Sequence, residues 1–266
     1  MRRIAWATDI HLEFCTDARV DAFCADVRRA APDALLLGGD IGQSHTVVPF
    51  LRRLARAVHC PIYFVLGNHD YYHGSIAQVR SALAELESLD TALTWLPEAG
   101  VVPLSAATAL VSIDGWSDGR LGDFFASPVQ LHDYLLIRDL TLLTTEQRFA
   151  RLNQLGDAEA ARLRDSLRAA FSTHERVMVL THVPPFAESA WHEGKQSDDD
   201  WLPHFSSKAA GDVLLAAADE NPDRDILVLC GHTHGAGTVQ MRPNLRVVTG
   251  GAEYGQPALQ EIIDVA

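Results

Sequence analysis

Short apolar runs alternate with amphipathic stretches through the N-terminal third of the chain. The apolar runs have the length of buried strands, and they cover Arg3–Thr8, Ala34–Leu37 and Pro61–Leu66. The stretches between and after them carry apolar residues at helical spacing, which predicts helices over Asp17–Ala30, Val47–Val58 and about Ser75–Leu89. Strands that alternate with helices favour parallel pairing within one sheet.

The rest of the chain changes this rhythm. Two apolar runs, Val101–Leu104 and Thr108–Ile113, follow one another with no helix between them. Further short apolar runs predict strands near Val177–Leu180, Asp225–Cys230, Thr238–Met241 and Arg246–Val248. This mixture indicates an α/β fold in which two mixed sheets pack together and helices lie outside.

Two segments interrupt the pattern, near residues 114–174 and 187–204, and we expect them to line the substrate cleft and set selectivity. In the first, Trp116–Tyr134 is rich in Gly, Asp and aromatic residues and is typical of a loop. Thr144–Phe171 is charged and helical, with a predicted break at Gly156. No linker is evident, so we predict a single domain over residues 1–266.

Composition narrows the class of protein. Hydrophobic residues make up 47% of the 266 residues, enough for a sizeable core. The net charge of −13 argues against extended binding along a nucleic acid. No apolar run approaches the ~20 residues that span a bilayer, and Asp9 interrupts the short apolar stretch after Arg2 and Arg3, which argues against a secretory signal. These features predict a cytoplasmic protein.

Short polar blocks follow five of the apolar runs. They are Asp9-Ile10-His11, Gly39-Asp40, Gly67-Asn68-His69-Asp70, Thr181-His182 and Gly231-His232-Thr233-His234. In open α/β sheets, ligands gather beyond the carboxyl ends of the strands. Residues two apart, such as Asp9 and His11, are expected to point the same way as a strand ends. Because Asp, Asn and His side chains suit divalent metal ions, the blocks predict a metal site.

The order and composition of these blocks resemble those of the calcineurin-like metallophosphoesterases, and the resemblance runs from residue 4 to about residue 250. It implies a four-layer sandwich of two mixed β-sheets flanked by α-helices. It also implies two divalent transition-metal ions, with Mn or Fe expected and Zn or Co also compatible with the ligands. The ligands carried over are Asp9, His11, Asp40 and His234 for one metal, and Asp40 (bridging), Asn68, His182 and His232 for the other.

The resemblance also implies roles around the substrate. Asn68 and His69 would contact it, His69 would protonate the leaving group or stabilise its charge, and Asp70 would orient the His69 ring. A purely structural role for His69, in bracing its loop, is the alternative. Many members of the family have a second Asp three residues after the position of Asp40, where this chain has Gln43. That position is not a ligand, so only local hydrogen bonding is expected to differ.

Other polar residues lie outside the blocks. Arg120, in a loop rich in Gly and Asp, could clamp a phosphate, although a structural salt bridge explains it equally well. His45 and His73 lie near the blocks and are expected in solvated loops. The remaining histidines match no block and are expected at the surface or at helix ends: His59, His132, His174, His192 and His204.

Together these features favour a metal-dependent phosphoesterase that hydrolyses phosphomono- or phosphodiester bonds by in-line attack of a hydroxide bridging two metal ions. The chain contains no Gly-x-Ser-x-Gly or P-loop pattern. The expected partner is a small phosphorylated or phosphodiester substrate rather than a membrane. A nuclease or a DNA- or RNA-repair phosphoesterase is one alternative, which would want a basic stripe. A catalytically silent scaffold that binds proteins is another, but all seven ligand positions are filled.

Overall fold

Strands and helices alternate in the N-terminal third, and some of the later strands follow one another with no helix between them. The computed structural model describes residues 2–266, except for the side chains of residues 87–89. Its strands are β1 (Arg2–Ala7), β2 (Ala34–Gly38), β3 (Ile62–Val65), β4 (Leu93–Trp95), β5 (Val102–Pro103), β6 (Thr108–Ser112), β7 (Arg176–Leu180), β8 (Trp191–His192), β9 (Lys195–Gln196), β10 (Asp225–Cys230), β11 (Gly237–Arg242), β12 (Leu245–Thr249) and β13 (Glu261–Val265). Its α-helices are α1 (Asp17–Ala30), α2 (Val47–Val58), α3 (Ile76–Leu89), α4 (Leu96–Ala99), α5 (Asp133–Leu136), α6 (Thr145–Phe171), α7 (Leu202–Phe205) and α8 (Lys208–Glu220).

The strands form two large mixed sheets. One has the order β13-β1-β2-β3-β4, in which β1 to β4 are parallel and β13 pairs antiparallel with β1. The other has the order β11-β12-β10-β7-β6-β5, with a parallel centre and antiparallel outer pairs. The strands β8 and β9 form a separate small hairpin. The prediction of two mixed sheets is confirmed.

Apolar side chains on both faces of each sheet build the core in layers. In β1, Ile4 and Trp6 pack in the cluster between the sheets, whereas Ala5 and Ala7 pack with the outer helices α1 to α3. The helices α6 and α8 cover the outer face of the second sheet. Central parallel strands buried on both faces are apolar at successive positions, which explains the continuous apolar run of β2. The result is the four-layer α/β sandwich that the family resemblance implies.

Polar residues just before the amphipathic stretches set the helix starts. The Thr16 side chain accepts the Arg19 backbone N–H at the start of α1, and Ser75 accepts that of Gln78 at the start of α3. Thr144 begins α6 with a reciprocal capping box. These caps explain why the predicted starts of the three helices agree closely with the structure.

The predicted break at Gly156 is wrong. The helix α6 runs from Thr145 to Phe171 without interruption. A Cβ atom at Gly156 would lie 2.6 Å from the Cβ atom of Asp118, so the missing side chain lets the loop around Asp118 pack against the helix. The glycine therefore reflects close packing between a helix and a loop, and not the end of a helix.

Several further elements were not predicted, among them the 13-residue helix α8. The sequence pattern did not indicate β4, α4 or β13, which have three, four and five residues. Runs of this length carry little periodicity. The predicted loop from Trp116 is confirmed as far as α5, which begins at Asp133. No helix in the described part of the chain is long and apolar enough to cross a membrane.

Candidate metal centre

The polar block after β1 turns sharply because two of its residues adopt a left-handed backbone. The strand ends at Ala7, and Asp9 and His11 follow with φ values of 49° and 40°. The side chains of Asp9 and His11 therefore take their directions from this turn, and the prediction from strand alternation is wrong. Their backbone N–H groups donate to the carbonyls of Gly39 at 3.1 Å and Asp40 at 2.9 Å, which ties this turn to the one after β2.

Other predicted ligands share this conformation. Asp40, His232 and His234 have φ values of 51°, 70° and 58°. A non-glycine residue in this region costs of order 1–3 kcal/mol, and such strain persists where the surrounding structure fixes it, often at functional sites. The loops after β1, β2 and β10 thus hold strain at neighbouring points and aim their polar side chains toward one another.

The first group of predicted ligands consists of Asp9, His11, Asp40 and His234. One ligand atom from each lies within 4.8 Å of the others. The Nε2 atoms of His11 and His234 are 3.0 Å apart, and His234 Nε2 lies 3.5 Å from Asp9 Oδ1. The backbone N–H of His232 donates to the Asp9 carboxylate at 2.9 Å and holds it in place. Three of the four residues are buried, and His234 is partly buried.

The second group lies beside the first and shares Asp40 with it. Asn68 Oδ1 lies 3.1 Å from His182 Nε2 and 2.9 Å from His232 Nδ1. Asp40 Oδ2 lies 3.5 Å from His182 Nε2 and 3.7 Å from His11 Nε2. One carboxylate oxygen therefore faces both groups, which is where a ligand shared by two metal ions would lie.

Hydrogen bonds behind two histidines fix the atom that each presents to the centre. The Gly38 carbonyl lies 2.9 Å from His182 Nδ1. Because a carbonyl can only accept, Nδ1 carries the proton and Nε2 is left as the ligand atom. The His204 carbonyl lies 2.9 Å from His232 Nε2. By the same argument, Nε2 of His232 carries the proton and its Nδ1 is left as the ligand atom.

Asp133 is a supporting residue that the sequence reasoning missed. Its buried carboxylate accepts the Asn68 amide at 2.8 Å and the Tyr72 hydroxyl at 2.7 Å. The amide nitrogen of Asn68 is thereby turned away, and its oxygen faces the two histidines of the second group. Asp133 follows a long loop and lies outside the strand-end blocks, so no local signal marks it.

Two glycines of the motif blocks lie where no side chain would fit. A Cβ atom at Gly67 would overlap the carboxylate of Asp40, and one at Gly231 would overlap the carboxylate of Asp9. Any side chain at either position would therefore displace a predicted ligand. This explains why a glycine precedes Asn68 in one block and His232 in the other.

The assembled donor atoms suit divalent transition-metal ions. Imidazole nitrogens combined with carboxylate and amide oxygens form a mixed set that Mn, Fe, Zn and Co accept. The facing ring nitrogens of His11 and His234, 3.0 Å apart and close to buried carboxylates, would be satisfied by a cation between them. The residues present therefore fit the two ions on which the family depends.

Asp70 does not orient the His69 ring, so this prediction needs correction. The Asp70 carboxylate is buried and accepts the backbone N–H groups of Ile41 at 3.0 Å, Gly42 at 2.8 Å and Gly67 at 2.9 Å. These three hydrogen bonds tie the loop after β2 to the loop after β3. Asp70 thus supports the loops that carry predicted ligands.

Glu13 takes the place beside the His69 ring that was expected for Asp70. Its Oε1 atom lies 3.5 Å from His69 Nδ1, and the His69 ring stacks on Tyr72 with centroids 4.2 Å apart. Burial lowers the pKa of His69, but the negative charges of Asp40 and Glu13 outweigh this and raise the pKa to about 9. Bound cations would lower it again. The carboxylates around the ring therefore favour its protonated form.

Arg120 bonds to residues of α6 and does not line the cleft. Its guanidinium donates to both carboxylate oxygens of Asp157, at 2.7 and 2.8 Å, and to Asn153 Oδ1 at 3.1 Å. It also pairs with the buried carboxylate of Asp118 at 3.4 Å. These contacts occupy the guanidinium within the fold, so the salt-bridge interpretation describes Arg120 and the phosphate clamp does not.

A cleft of about 240 Å³ opens beside the two ligand groups. His69, His232 and His234 form part of its lining, and the two predicted cleft segments contribute to its walls. Its aromatic and imidazole walls are formed by Tyr72, His132, His192, Phe205 and Tyr254. His132 is exposed at the start of α5, as expected, and also borders the cleft. His192 was expected at the surface, and its half-buried place in the cleft wall is a correction. His45 and His73 are exposed, as predicted.

His204 is buried, which is a further correction. Its ring lies between the Tyr134 hydroxyl, 2.5 Å from Nδ1, and the Ser127 hydroxyl, 3.1 Å from Nε2. Burial, together with the nearby charge of Arg148, lowers the pKa of His204 to about 4, so the ring is neutral at physiological pH. The His204 backbone supports His232, which gives the residue a place in the architecture of the centre.

Comparison with known families agrees with this geometry. The sequence profile of the calcineurin-like phosphoesterases matches residues 2–236, which is most of the chain. The chain belongs to the calcineurin-like phosphoesterase family. Members of this family depend on a dinuclear metal centre and hydrolyse phosphoric esters.

Individual relatives of this chain are more distant. A probable cyclic nucleotide phosphodiesterase of Pseudoalteromonas sp. (strain SM9913) is 35% identical over 82 residues, which cover 26% of this chain and 31% of that protein. The phosphopantetheinyl hydrolase of Mycobacterium tuberculosis superposes with a TM-score of 0.67 over 96% of this chain and 94% of that one, at 15% identity. A dimetal phosphatase from Danio rerio gives a TM-score of 0.59 over 94% and 87% of the two chains, also at 15% identity. The two structural matches show a shared fold.

Proposed function

We propose that this chain is a dinuclear metal-dependent phosphoesterase that hydrolyses small phosphoesters, with the two ligand groups that share Asp40 as its metal sites. The observation that carries the proposal is the position of Asp40 Oδ2, 3.5 Å from His182 Nε2 and 3.7 Å from His11 Nε2. A carboxylate placed between two sets of imidazole nitrogens is suited to bridge two cations.

The proposed ligands leave the centre positively charged. Only Asp9 and Asp40 are anionic, so two divalent ions would keep about two net positive charges for a phosphate. When bound, the ions would activate water, polarise the phosphoryl oxygens and neutralise charge that develops during displacement. The protein would contribute a fixed arrangement of side chains, in which Asn68 lines the cleft and presents its Oδ1 atom to the second ligand group.

His69 is the proposed proton donor to the leaving group. Its ring lines the cleft, is held between Tyr72 and Glu13, and carries a raised pKa. A positioned proton donor near the departing oxygen typically contributes 10²–10⁴-fold to the rate. No covalent intermediate is needed in this scheme.

The cleft favours a small substrate with a flat organic group. Its volume of about 240 Å³ is small for a ligand site, and the half-exposed ring of Tyr254 lines it and could pack against a flat group. A nucleotide-sized diester or monoester would match both features. The partial likeness to a probable cyclic nucleotide phosphodiesterase supports a cyclic nucleotide as the first diester to test.

A panel of substrates tests this function. Wild-type protein with added Mn²⁺ should hydrolyse nitrophenyl phosphate esters and at least one of a set of phosphomonoesters, phosphodiesters and cyclic nucleotides. Product analysis would separate monoester from diester preference. Activity on long single- or double-stranded nucleic acid, with none on small esters, would favour the nuclease alternative. Hydrolysis of no member of the panel would contradict the proposal.

A further inference from the structure

A buried carboxylate lies between two histidines of the centre without an ordinary partner. Glu13 Oε1 is 3.5 Å from Nδ1 of His11 and 3.5 Å from Nδ1 of His69. Both oxygens of Glu13 and both Nδ1 atoms are buried, and none has a hydrogen bond of standard geometry among the described residues. Buried polar groups are rarely left unpaired, so four such atoms at one point require a common explanation.

The chemistry of the rings supplies that explanation. His11 turns its Nε2 atom toward His234 and Asp40, so the proton of a neutral His11 ring belongs on Nδ1, which faces Glu13. A proton on His69 Nδ1 would face Glu13 in the same way and leave the other ring nitrogen for the substrate side. A shift of a few tenths of an ångström would turn each contact into a hydrogen bond.

The backbone around Glu13 holds it in this position. Glu13 lies in the 3₁₀ turn Leu12–Phe14, directly after His11 and Leu12. The Leu12 N–H donates to the Ile41 carbonyl at 3.0 Å, and the Phe14 N–H donates to the His11 carbonyl at 3.0 Å. The Glu13 side chain is only 8% exposed. Its carboxylate therefore belongs to the interior of the site.

We propose that Glu13 is a positioning residue that accepts the Nδ1–H groups of both His11 and His69. It would thereby hold a proposed metal ligand and the proposed proton donor in one fixed relation. This role is distinct from that of Asp70, whose oxygens are occupied by backbone N–H groups. The part that concerns His69 rests on the proposed function, whereas the part that concerns His11 requires only that the site binds metal.

Glu13→Gln tests the proposal, because it keeps the shape of the side chain and removes its charge. Loss of an outer partner of a metal-binding histidine typically weakens metal affinity or activity by about 10–100-fold. We expect a loss of this size in Mn²⁺ affinity, measured by competition with a chelating dye on metal-free protein. Glu13→Asp, which keeps the charge on a shorter side chain, should recover part of the affinity. Circular dichroism and thermal melts would show that each variant is folded.

Glu253→Gln is the matched control. Glu253 is exposed and adjoins Tyr254, whose ring lies 4.6 Å from that of His11. The control therefore removes the same charge close to the cleft without removing the carboxylate between the two histidines. Its Mn²⁺ affinity should stay close to that of the wild type, so that a loss in Glu13→Gln alone identifies a specific contact.

A double-mutant cycle tests the link to His69. Glu13→Gln should lower kcat on an alkyl phosphoester when His69 is present. In the His69→Asn background the same substitution should lower kcat much less, because the ring that Glu13 positions is then absent. Unchanged Mn²⁺ affinity in Glu13→Gln, or kinetic losses that are additive with those of His69→Asn, would overturn the proposal. If the wild type hydrolyses no phosphoester, the proposed function fails, and the affinity measurement still decides whether Glu13 supports His11.

Discussion

The two oxygens of the Asp40 carboxylate have different surroundings. Oδ1 accepts the backbone N–H of His69 at 2.9 Å, whereas Oδ2 faces His11 and His182. The backbone bond fixes the carboxylate so that one oxygen is directed at both ligand groups. Asp40 is therefore the residue on which both proposed metal sites depend.

Asp40→Asn should abolish hydrolysis and reduce the content of at least one metal. The substitution removes the negative charge that both ions would share, while the fold should survive because the change is nearly isosteric. Elemental analysis, activity on a nitrophenyl phosphate ester and circular dichroism measure the three effects. Asp223→Asn, an exposed change in the loop before β10, is the control. Turnover near the wild-type level in Asp40→Asn would show that the ligand assignment is wrong.

His69→Asn separates a proton donor from a metal ligand. Its metal content should stay near normal, because His69 is assigned to neither ligand group. The kcat should fall by about 10²–10⁴-fold on an alkyl ester. The loss should be smaller for nitrophenyl esters, since nitrophenolate hardly needs a proton to depart. Equal losses on both substrates would argue against proton donation, and loss of metal would place His69 among the ligands.

The sequence indicates which residue types meet at the centre, but not which atoms they turn toward each other. Asp, Asn and His at strand ends predict a metal site from composition and order alone. The partner of His69 could not be predicted, because Asp70 is adjacent in sequence while Glu13 reaches the ring through the fold. Asp133 could not be predicted either, because it lies 65 positions from Asn68 in the sequence and contacts it only in the folded chain.

At the scale of elements, α6 shows how packing can outweigh helix propensity. Its Gly156 lies in the middle of a continuous helix, where glycine costs about 1 kcal/mol relative to alanine. The space that a methyl group would need is occupied by Asp118, whose side chain accepts the Ala209 N–H at 2.8 Å and so links this loop to α8. A helix pattern alone cannot reveal such a neighbour.

Gly156→Ala should therefore destabilise the protein, although alanine is the better helix former. Overpacking of this kind costs about 1–3 kcal/mol, which exceeds the gain in propensity. Ala161→Gly, an exposed position of the same helix, is the control and should cost about 1 kcal/mol through propensity alone. Chemical denaturation measures both. A more stable Gly156→Ala variant would show that the contact with Asp118 is loose.

The strand and helix predictions agree best where apolar periodicity persists over several turns or a full strand. The helix Asp17–Ala30 and the helix Val47–Val58 match their predicted bounds because each carries a long apolar face. The strand β13 was missed because its five residues carry little periodicity, and its position beside β1 is a long-range pairing that local pattern does not encode. Local sequence describes elements, and pairing between distant elements requires the structure.

At the scale of the whole molecule, the centre depends on the docking of two sheets. Asp9, Asp40 and Asn68 follow strands of one sheet, whereas His182 and His232 follow strands of the other. The sheets are also joined close to the centre. Asp114, after β6, accepts the Leu66 N–H at 2.9 Å and the Tyr71 hydroxyl at 3.0 Å. Metal binding should therefore stabilise the whole fold. Ions that bind only the native state raise the free energy of unfolding by an amount that grows with the logarithm of their concentration.

The metal content of the purified protein, measured together with its response to a chelator, tests the central claim most directly. We expect about two transition-metal ions per chain, as a two-metal phosphoesterase requires. Chelation should remove the ions and the hydrolysis of a nitrophenyl phosphate ester together, and Mn²⁺ should restore the activity. No more than trace metal, with hydrolysis unchanged by the chelator, would contradict the account.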